Sequence, residues 1–395
     1  MKKIFSKAAA ILLSAFLIGS FTAAGYYAQK LPESITAESG VPLGIAGYPL
    51  LHMDSSGADT ASVTFLGAIP VKSMAVTSAE APVLTVGGSP FGIKLLMEGV
   101  MVTSLGTVTD ASGVRSCPAK EAGIVPGDVI RLANGQQVSS NSDMEEIINH
   151  SSGKSIELSV QRGDRQFTAQ LRPVCSAEGR WRGGMWVRDS IAGIGTMTFI
   201  SKETGRFAGL GHPICDSDTG EVIPVHSGEA AAVDITDARR GIRGVPGELR
   251  GTFLQGTAYG VLTGNGGSGV YGRLTNSACR ELSCGTDEYK LAYRQEISTG
   301  AAEIRSTVDG SGPKMYTVEI ERIDYSGDPD GKDMVIHVTD PELLERTGGI
   351  VQGMSGSPII QGGRIVGAVT HVFVADPTRG YGIFAETMLN AMEAA

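Results

Sequence analysis

With 395 residues, 42% of them hydrophobic and 19% charged, the chain has material for two or three domains at roughly 150 residues each and is not a disordered polymer. Its 54 glycines are about twice the usual share, which suits short strands joined by tight turns and excludes an all-helical bundle. A formal charge of −9 without any Lys/Arg run repels a phosphate backbone, so nucleic acid is excluded as a partner.

Lys2, Lys3 and Lys7 precede a charge-free stretch over residues 8–29. At about 1.5 Å per helical residue this stretch can cross a hydrocarbon layer of roughly 30 Å. Basic residues ahead of it favour translocation of the downstream chain. The expectation is a retained N-terminal signal/anchor helix over residues 1–30 with the rest of the chain outside the cytoplasm. Small residues at Ala23, Ala24 and Gly25 leave signal-peptide cleavage as the alternative. Five cysteines (Cys117, Cys175, Cys215, Cys279, Cys284) without C-x-x-C spacing imply neither a zinc cage nor a disulfide framework, although Cys279 and Cys284 are near enough to pair.

Residues 31–88 carry short apolar runs broken by Gly and Pro, and read as a membrane-proximal stalk with some strand. From Phe91 the pattern sharpens into Phe91-Gly92-Ile93-Lys94-Leu95, then 99–102, then Ala122-Gly123-Ile124 followed by Gly127-Asp128-Val129-Ile130. Asn134-Gly135 suits a hairpin turn. Ser142 with Glu145 predicts a capping box opening a short helix, whose inner face is Met144, Ile147 and Ile148. Ile156, Leu158 and Val160 alternate with polar residues and, after Gly163-Asp164, so do Phe167, Ala169 and Leu171, which predicts a hairpin.

This order of elements resembles a PDZ domain of the kind found in bacterial proteases, over residues 89–175. The resemblance implies a sheet edge to which a peptide strand adds, with the peptide's carboxylate held by loop amides. Phe91, Gly92 and Ile93 would form that peptide-binding loop. Beyond Arg180, β-type runs at 191–200, 316–323, 334–338, 359–360, 365–374 and 381–384 predict a second, mainly β domain over 180–395, a sandwich or a pair of small barrels.

The chemistry concentrates near Gly353-Met354-Ser355-Gly356-Ser357-Pro358. Hydroxyl attack on a peptide carbonyl needs a base for the serine proton and N–H donors for the developing oxyanion. Ser355 is the candidate nucleophile, and the amides of Gly353 and Ser355 are the candidate oxyanion hole. Ser357 is disfavoured because Pro358 stiffens its backbone. His212, in the turn Leu210-Gly211-His212-Pro213, is the candidate base. His52, His150, His226 and His337 stand in weaker contexts, and His371 could line a substrate pocket. Asp340, at the end of a strand run, is the candidate acid that orients the base, with Asp216 and Asp218 competing because they lie close to His212.

The Leu210-Gly211-His212 turn, Val338-Thr339-Asp340 and the run from Thr347 through Ser355 to Val374 resemble the SpoIVB peptidase family, sporulation serine proteases of endospore-forming bacteria. The resemblance implies a catalytic triad of His212, Asp340 and Ser355 on a trypsin-like double β-barrel preceded by a PDZ domain and a transmembrane anchor. It implies a serine endopeptidase in the space between forespore and mother cell. That enzyme cleaves itself, is thereby released, and then cuts the regulatory subunit of an intramembrane metalloprotease that matures a sigma factor. A catalytically silent PDZ receptor and a general quality-control protease are the competing readings. Neither a metal nor a nucleotide motif is present: Gly264-Asn265-Gly266-Gly267 lacks a following Lys-Ser/Thr, and His-Glu-x-x-His does not occur. No cofactor is expected.

Overall fold

The computed structural model describes residues 2–395 except Ser39, Ala58, Ser217, Asp218, Pro224 and Pro329, and omits the side chains of residues 2–10, His226 and Gln255. In the strand Pro90–Leu105 the apolar residues Phe91, Ile93, Leu95 and Met97 alternate with Gly92, Lys94 and Leu96. That period of two aims the first set at one interior. The strand pairs antiparallel with Met185–Ile200 on one edge, Gly92 opposite Ile194, and with Val225–Arg239 on the other, Gly92 opposite Ala231. Continuing through Arg206–Gly209, Gly269–Leu274 and Glu248–Gly266, the pairings return to Val225–Arg239 and close a barrel of six strands. Phe91, Ile93, Leu95, Met197, Phe207 and Val270 fill it.

A second circuit of six closes in the same way. Gly300–Ser306 pairs with Lys314–Ile323, and the order continues through Met334–Val338, Asp376–Phe384, Arg364–Phe373 and Pro358–Gln361 back to the start. Ile304, Val318, Ile336, Val338, Ile359 and Phe384 form its interior. Between the barrels, Val83–Val86 pairs with Met185–Ile200 and Glu288–Leu291. The C-terminal helix Ala385–Ala394 covers the seam with Met388, Leu389 and Met392. The fold is the trypsin-like double β-barrel, reached from a sequence pattern that left a sandwich open.

The PDZ module has its own core of Val100, Val102, Ile130, Met144, Ile148, Leu158 and Leu171. Its Gly-Asp signature has a physical cause: Asp128 is fully buried, accepts from Val125 N and is gripped by Arg162 at 2.6 and 2.8 Å. The helix Asn141–His150 begins one residue before the expected box, capped by Ser140 with Asp143 rather than by Ser142 with Glu145. Ser140 and Ser142 each have an acid three residues on, so the box pattern fits both and the helix starts at the earlier one.

Phe91, Gly92 and Ile93 do not form a peptide-binding loop. They lie inside the first barrel with both edges paired, Phe91 and Ile93 buried, so no backbone is left to receive a ligand strand. The PDZ module is accordingly inserted between the first barrel's strands rather than placed wholly before them. Its open edge at Met101–Leu105 is taken by the chain's own Met185–Arg188, in register Met185 to Leu105 and Arg188 to Met101. Beside the helix, Asn141 N donates to Asp189 and Arg182 faces Glu145.

Residues 31–88 are likewise not a loose stalk. Ser34–Ala37, Ile69–Ser78, Thr60–Phe65 and Leu51–Ser55 form a four-stranded sheet. Its Ile35, Met53, Val63 and Met74 share a core with the second barrel. All five cysteines are free thiols, so Cys279 and Cys284 do not pair. The helix Lys2–Lys30 holds a segment, Ile11–Lys30, long and apolar enough to cross a membrane.

A side chain at Gly92 would meet Phe253 at 2.3 Å and Val233 at 2.8 Å. Gly92→Val is therefore expected to crowd Phe253 and Val233 on the outer face of the first barrel and cost about 1–3 kcal/mol, read as a lowered melting temperature of the whole protein. An unchanged melt would show that Gly92 does not face Phe253 and Val233 so closely.

Candidate active site

The two barrels meet along strand Met185–Ile200, whose buried Thr196 and Thr198 reach across to the turn carrying Ser355. Thr196 N donates to Ser355 O at 2.9 Å and Thr196 Oγ1 to Gly353 O at 2.8 Å, while Thr198 Oγ1 donates to Gly356 O at 2.8 Å. From the second barrel itself, Gly356 N donates to Val369 O at 2.8 Å. A Cβ on Gly356 would lie 2.0 Å from Thr196 O, so only glycine permits this approach. Thr196 and Thr198 were missed in the sequence. Their signal was two hydroxyls on one face of an otherwise apolar strand.

With carbonyls of the turn so engaged, the amides of Gly353 and Ser355 donate to no group among the described residues. They are the amides the sequence singled out for an oxyanion. Ser355 Oγ donates to Thr370 O at 2.8 Å. Ser357, as expected, is no rival: it is buried, its Oγ 3.0 Å from Ser306 Oγ.

His212 is delivered from the first barrel. After strand Arg206–Gly209, Leu210 at φ 66° and Gly211 at φ 72° both adopt left-handed backbone, a conformation costly for leucine. This sharp turn places His212 and Ser355 on the wall of one cavity of about 380 Å³, together with Ile194, Gly353 and His371. The His212 and His371 rings lie 4.6 Å apart. Burial lowers the pKa of His212 below the ordinary imidazole value, and burial together with the neighbouring His212 pushes His371 down to about 4. Both rings are neutral near pH 7.

His212 Nδ1 lies 2.9 Å from Pro213 O. A carbonyl can only accept, so that contact puts the proton on Nδ1 and leaves Nε2 as the basic nitrogen.

Asp340 is not brought to this site. It is the N-cap of helix Pro341–Thr347: Leu343 N donates to its Oδ1 at 3.0 Å and Thr317 N to its Oδ2 at 3.3 Å. The physical reason is local. Asp followed by Pro and Glu satisfies the first helical amides and complements the helix dipole. Asp216 is engaged by Arg188 instead of by His212, and Asp218 lies outside the described residues. Among the described residues no group of three His, Cys, Asp or Glu side chains could hold a metal ion.

A family model described as SpoIVB peptidase S55 matches residues 179–389, more than half of the chain. The chain belongs to that family. A PDZ domain model matches residues 87–172. The chain thus joins a SpoIVB peptidase S55 region to a PDZ module. Among curated proteins, one from Neisseria meningitidis serogroup A, named a candidate zinc metalloprotease, is 27% identical over 159 residues, 38% of this chain. The chain spans about a third (35%) of that relative's length. Among solved structures, the PDZ domain of the SdrC-like protein of Listeria monocytogenes is 21% identical at a TM-score of 0.19, covering 23% of this chain and 90% of that one. The HtrA-type protease AlgW with a decapeptide is 13% identical at a TM-score of 0.29, covering 52% and 53%.

Asp340→Asn keeps an oxygen for the Leu343 amide and is expected to leave the turnover of a cleaved peptide within a few-fold of the parent. Asp340→Ala should lose about 1 kcal/mol of stability with the cap, measured by denaturant titration. Loss of turnover by several orders in a folded Asp340→Asn protein would return Asp340 to the catalytic group.

Proposed function

We propose that Ser355 is the nucleophile and His212 its general base, with the amides of Gly353 and Ser355 stabilising the oxyanion of an attacked peptide carbonyl. The observation that carries this reading is the convergence on one cavity of a serine, a neutral imidazole with a free Nε2, and two amides without protein acceptors. During attack the serine proton passes to His212 Nε2 and then to the leaving amine. The Pro213 carbonyl holds the tautomer, the part that an aspartate plays in a triad. The Ser355 hydroxyl, which donates to Thr370 O, must release that carbonyl before it can give its proton to His212.

The enzyme's first substrate, in this proposal, is itself. Residues 77–80 are exposed and join the small sheet to barrel strand Val83–Val86, a favourable place for nicking. A cut there breaks the covalent link between the N-terminal anchor and the catalytic barrels. The role carried by the family is then accounted for: an anchored extracytoplasmic protease of sporulating cells that is released by self-cleavage and then cleaves the regulatory subunit of an intramembrane metalloprotease, signalling sigma-factor activation.

Labelling with a fluorophosphonate, alongside the fate of the chain in membrane fractions, tests both parts. The parent should be labelled and should yield shorter forms. Ser355→Ala and His212→Ala should each abolish both, the double variant being no worse than either single one because the pair acts as a unit. Labelled Ser355→Ala protein would end the nucleophile assignment, and shorter forms at parental levels from unlabelled Ser355→Ala would end self-cleavage alone.

The pH dependence has a definite sign. Burial lowers the His212 pKa from the ordinary 6.5, so the base stays unprotonated into mildly acidic solution. The rate of labelling should hold as pH falls through 6.5 and decline only below it. A midpoint at or above 6.5 would show that the working imidazole is not buried as described.

A further inference from the structure

The loop after His212 is pinned at two places. At its neck, Ile214 N donates to Asn265 Oδ1 at 2.7 Å, and Asn265 Nδ2 donates to Ile214 O and Ile223 O at 2.9 and 3.0 Å. This gives the Gly264-Asn265-Gly266 segment a purpose unrelated to phosphate. Beyond the neck, Asp216 N donates to Glu221 O and Gly220 N to Asp216 O. The Asp216 carboxylate has no solvent exposure: its Oδ1 accepts from Thr219 N and Oγ1, and its Oδ2 accepts from Arg188 Nη1 at 2.5 Å.

Arg188 belongs to the segment that fills the edge of the PDZ sheet, opposite Met101. The same loop touches the PDZ module twice more. Thr219 Oγ1 lies 3.7 Å from Met101 Sδ, and the Glu221 side chain stands 3.2 Å from where a Cβ on Gly127 would be. The five residues from His212 to Asp216 therefore run from the catalytic cavity to the PDZ sheet, held at Ile214 and at Asp216.

We propose that Asp216 is a positioning residue for the peptidase reaction: held by Arg188, it sets the 213–216 backbone, including the Pro213 carbonyl that orients His212, and so makes the inserted PDZ strand part of the support of the base. Asp216 touches neither substrate nor reacting atoms. A carboxylate buried against a guanidinium fixes both distance and direction, since its desolvation is offset only while that partner stays in place. Through this link, any ligand or self-segment that moves Met185–Arg188 relative to the PDZ sheet acts on His212. The inference rests on the assignment of Ser355 and His212 above.

The test is the kinetics of fluorophosphonate labelling of the full-length chain. Asp216→Asn keeps the Thr219 hydrogen bonds and removes the charge. It is expected to lower the maximal labelling rate constant by on the order of 10²-fold, the scale of a roughly 1 Å misplacement, without changing the half-saturating probe concentration or the final labelled fraction. A purely structural role would instead lower the final labelled fraction and leave the rate per reactive site unchanged, which overturns the proposal. Arg188→Met should behave as Asp216→Asn does, and Arg188→Lys should recover most of the rate by restoring a cation. Should Asp216→Asn not fold, the Arg188 pair carries the test alone: equal rates for Arg188→Met and the parent overturn the proposal. Absence of parental labelling, or labelling undiminished in Ser355→Ala, overturns the Ser355 assignment and the positioning role together. A parent that labels normally beside an Asp216→Asn protein within about twofold per site overturns the positioning role only.

Discussion

Everything in the catalytic region depends on how closely two barrels can approach. The turn that presents Ser355 is hydrogen-bonded to Thr196 and Thr198 of the opposite barrel as much as to its own. The approach is possible because Gly356 and Gly211 have no side chains: a Cβ on the first would collide with the Thr196 carbonyl, and one on the second would lie 2.9 Å from Thr370. Buried hydroxyls that donate across the seam carry a full desolvation penalty if they lose their acceptors. The barrels are thereby locked in one mutual setting, and the cavity shared by His212 and Ser355 is a product of that setting.

The electrostatics of the site derive from the same closeness. Desolvation holds both imidazoles neutral, and the His212 ring 4.6 Å away further disfavours protonation of His371. No carboxylate among the described residues bonds to His212, and the orienting acceptor is a backbone carbonyl. A carbonyl fixes the tautomer, but it stabilises an imidazolium less than a full negative charge would. On the proposed assignment, the rate would lean correspondingly on the amides of Gly353 and Ser355 and on the rigidity of the loop behind His212.

Much of the fold was legible from alternation and turn chemistry. The 156–171 hairpin, the Asn134-Gly135 turn and the serine turn all stand where the pattern put them. What escaped was non-local. Phe91–Ile93 has a strand's alternation, but its partner at Ala230–Ala231 lies well over a hundred residues away, and no local period announces such a closure. A motif continuous in sequence therefore drew the strand into the PDZ module. Asp340 differs for the opposite reason. Asp-Pro-Glu is itself a helix-start signature, and a short-range explanation for the carboxylate was available before any triad needed it. Leu210 in left-handed backbone could not be read at all, since nothing in a leucine's identity advertises it.

The small sheet at the N-terminal side would hold the chain together across a cut at 77–80. Leu31, Ile35, Met53 and Val63 share a core with the second barrel, the Tyr27 ring packs against Tyr48 and Tyr48 against Tyr325, and Lys30 pairs with Asp324. Breaking one peptide bond at 77–80 leaves every one of these contacts intact. The two pieces would then be related as the halves of a fragment-complementation pair, and their separation would be a dissociation with its own rate constant. Scission and liberation are distinct events in such a molecule, and the interval between them is set by apolar packing.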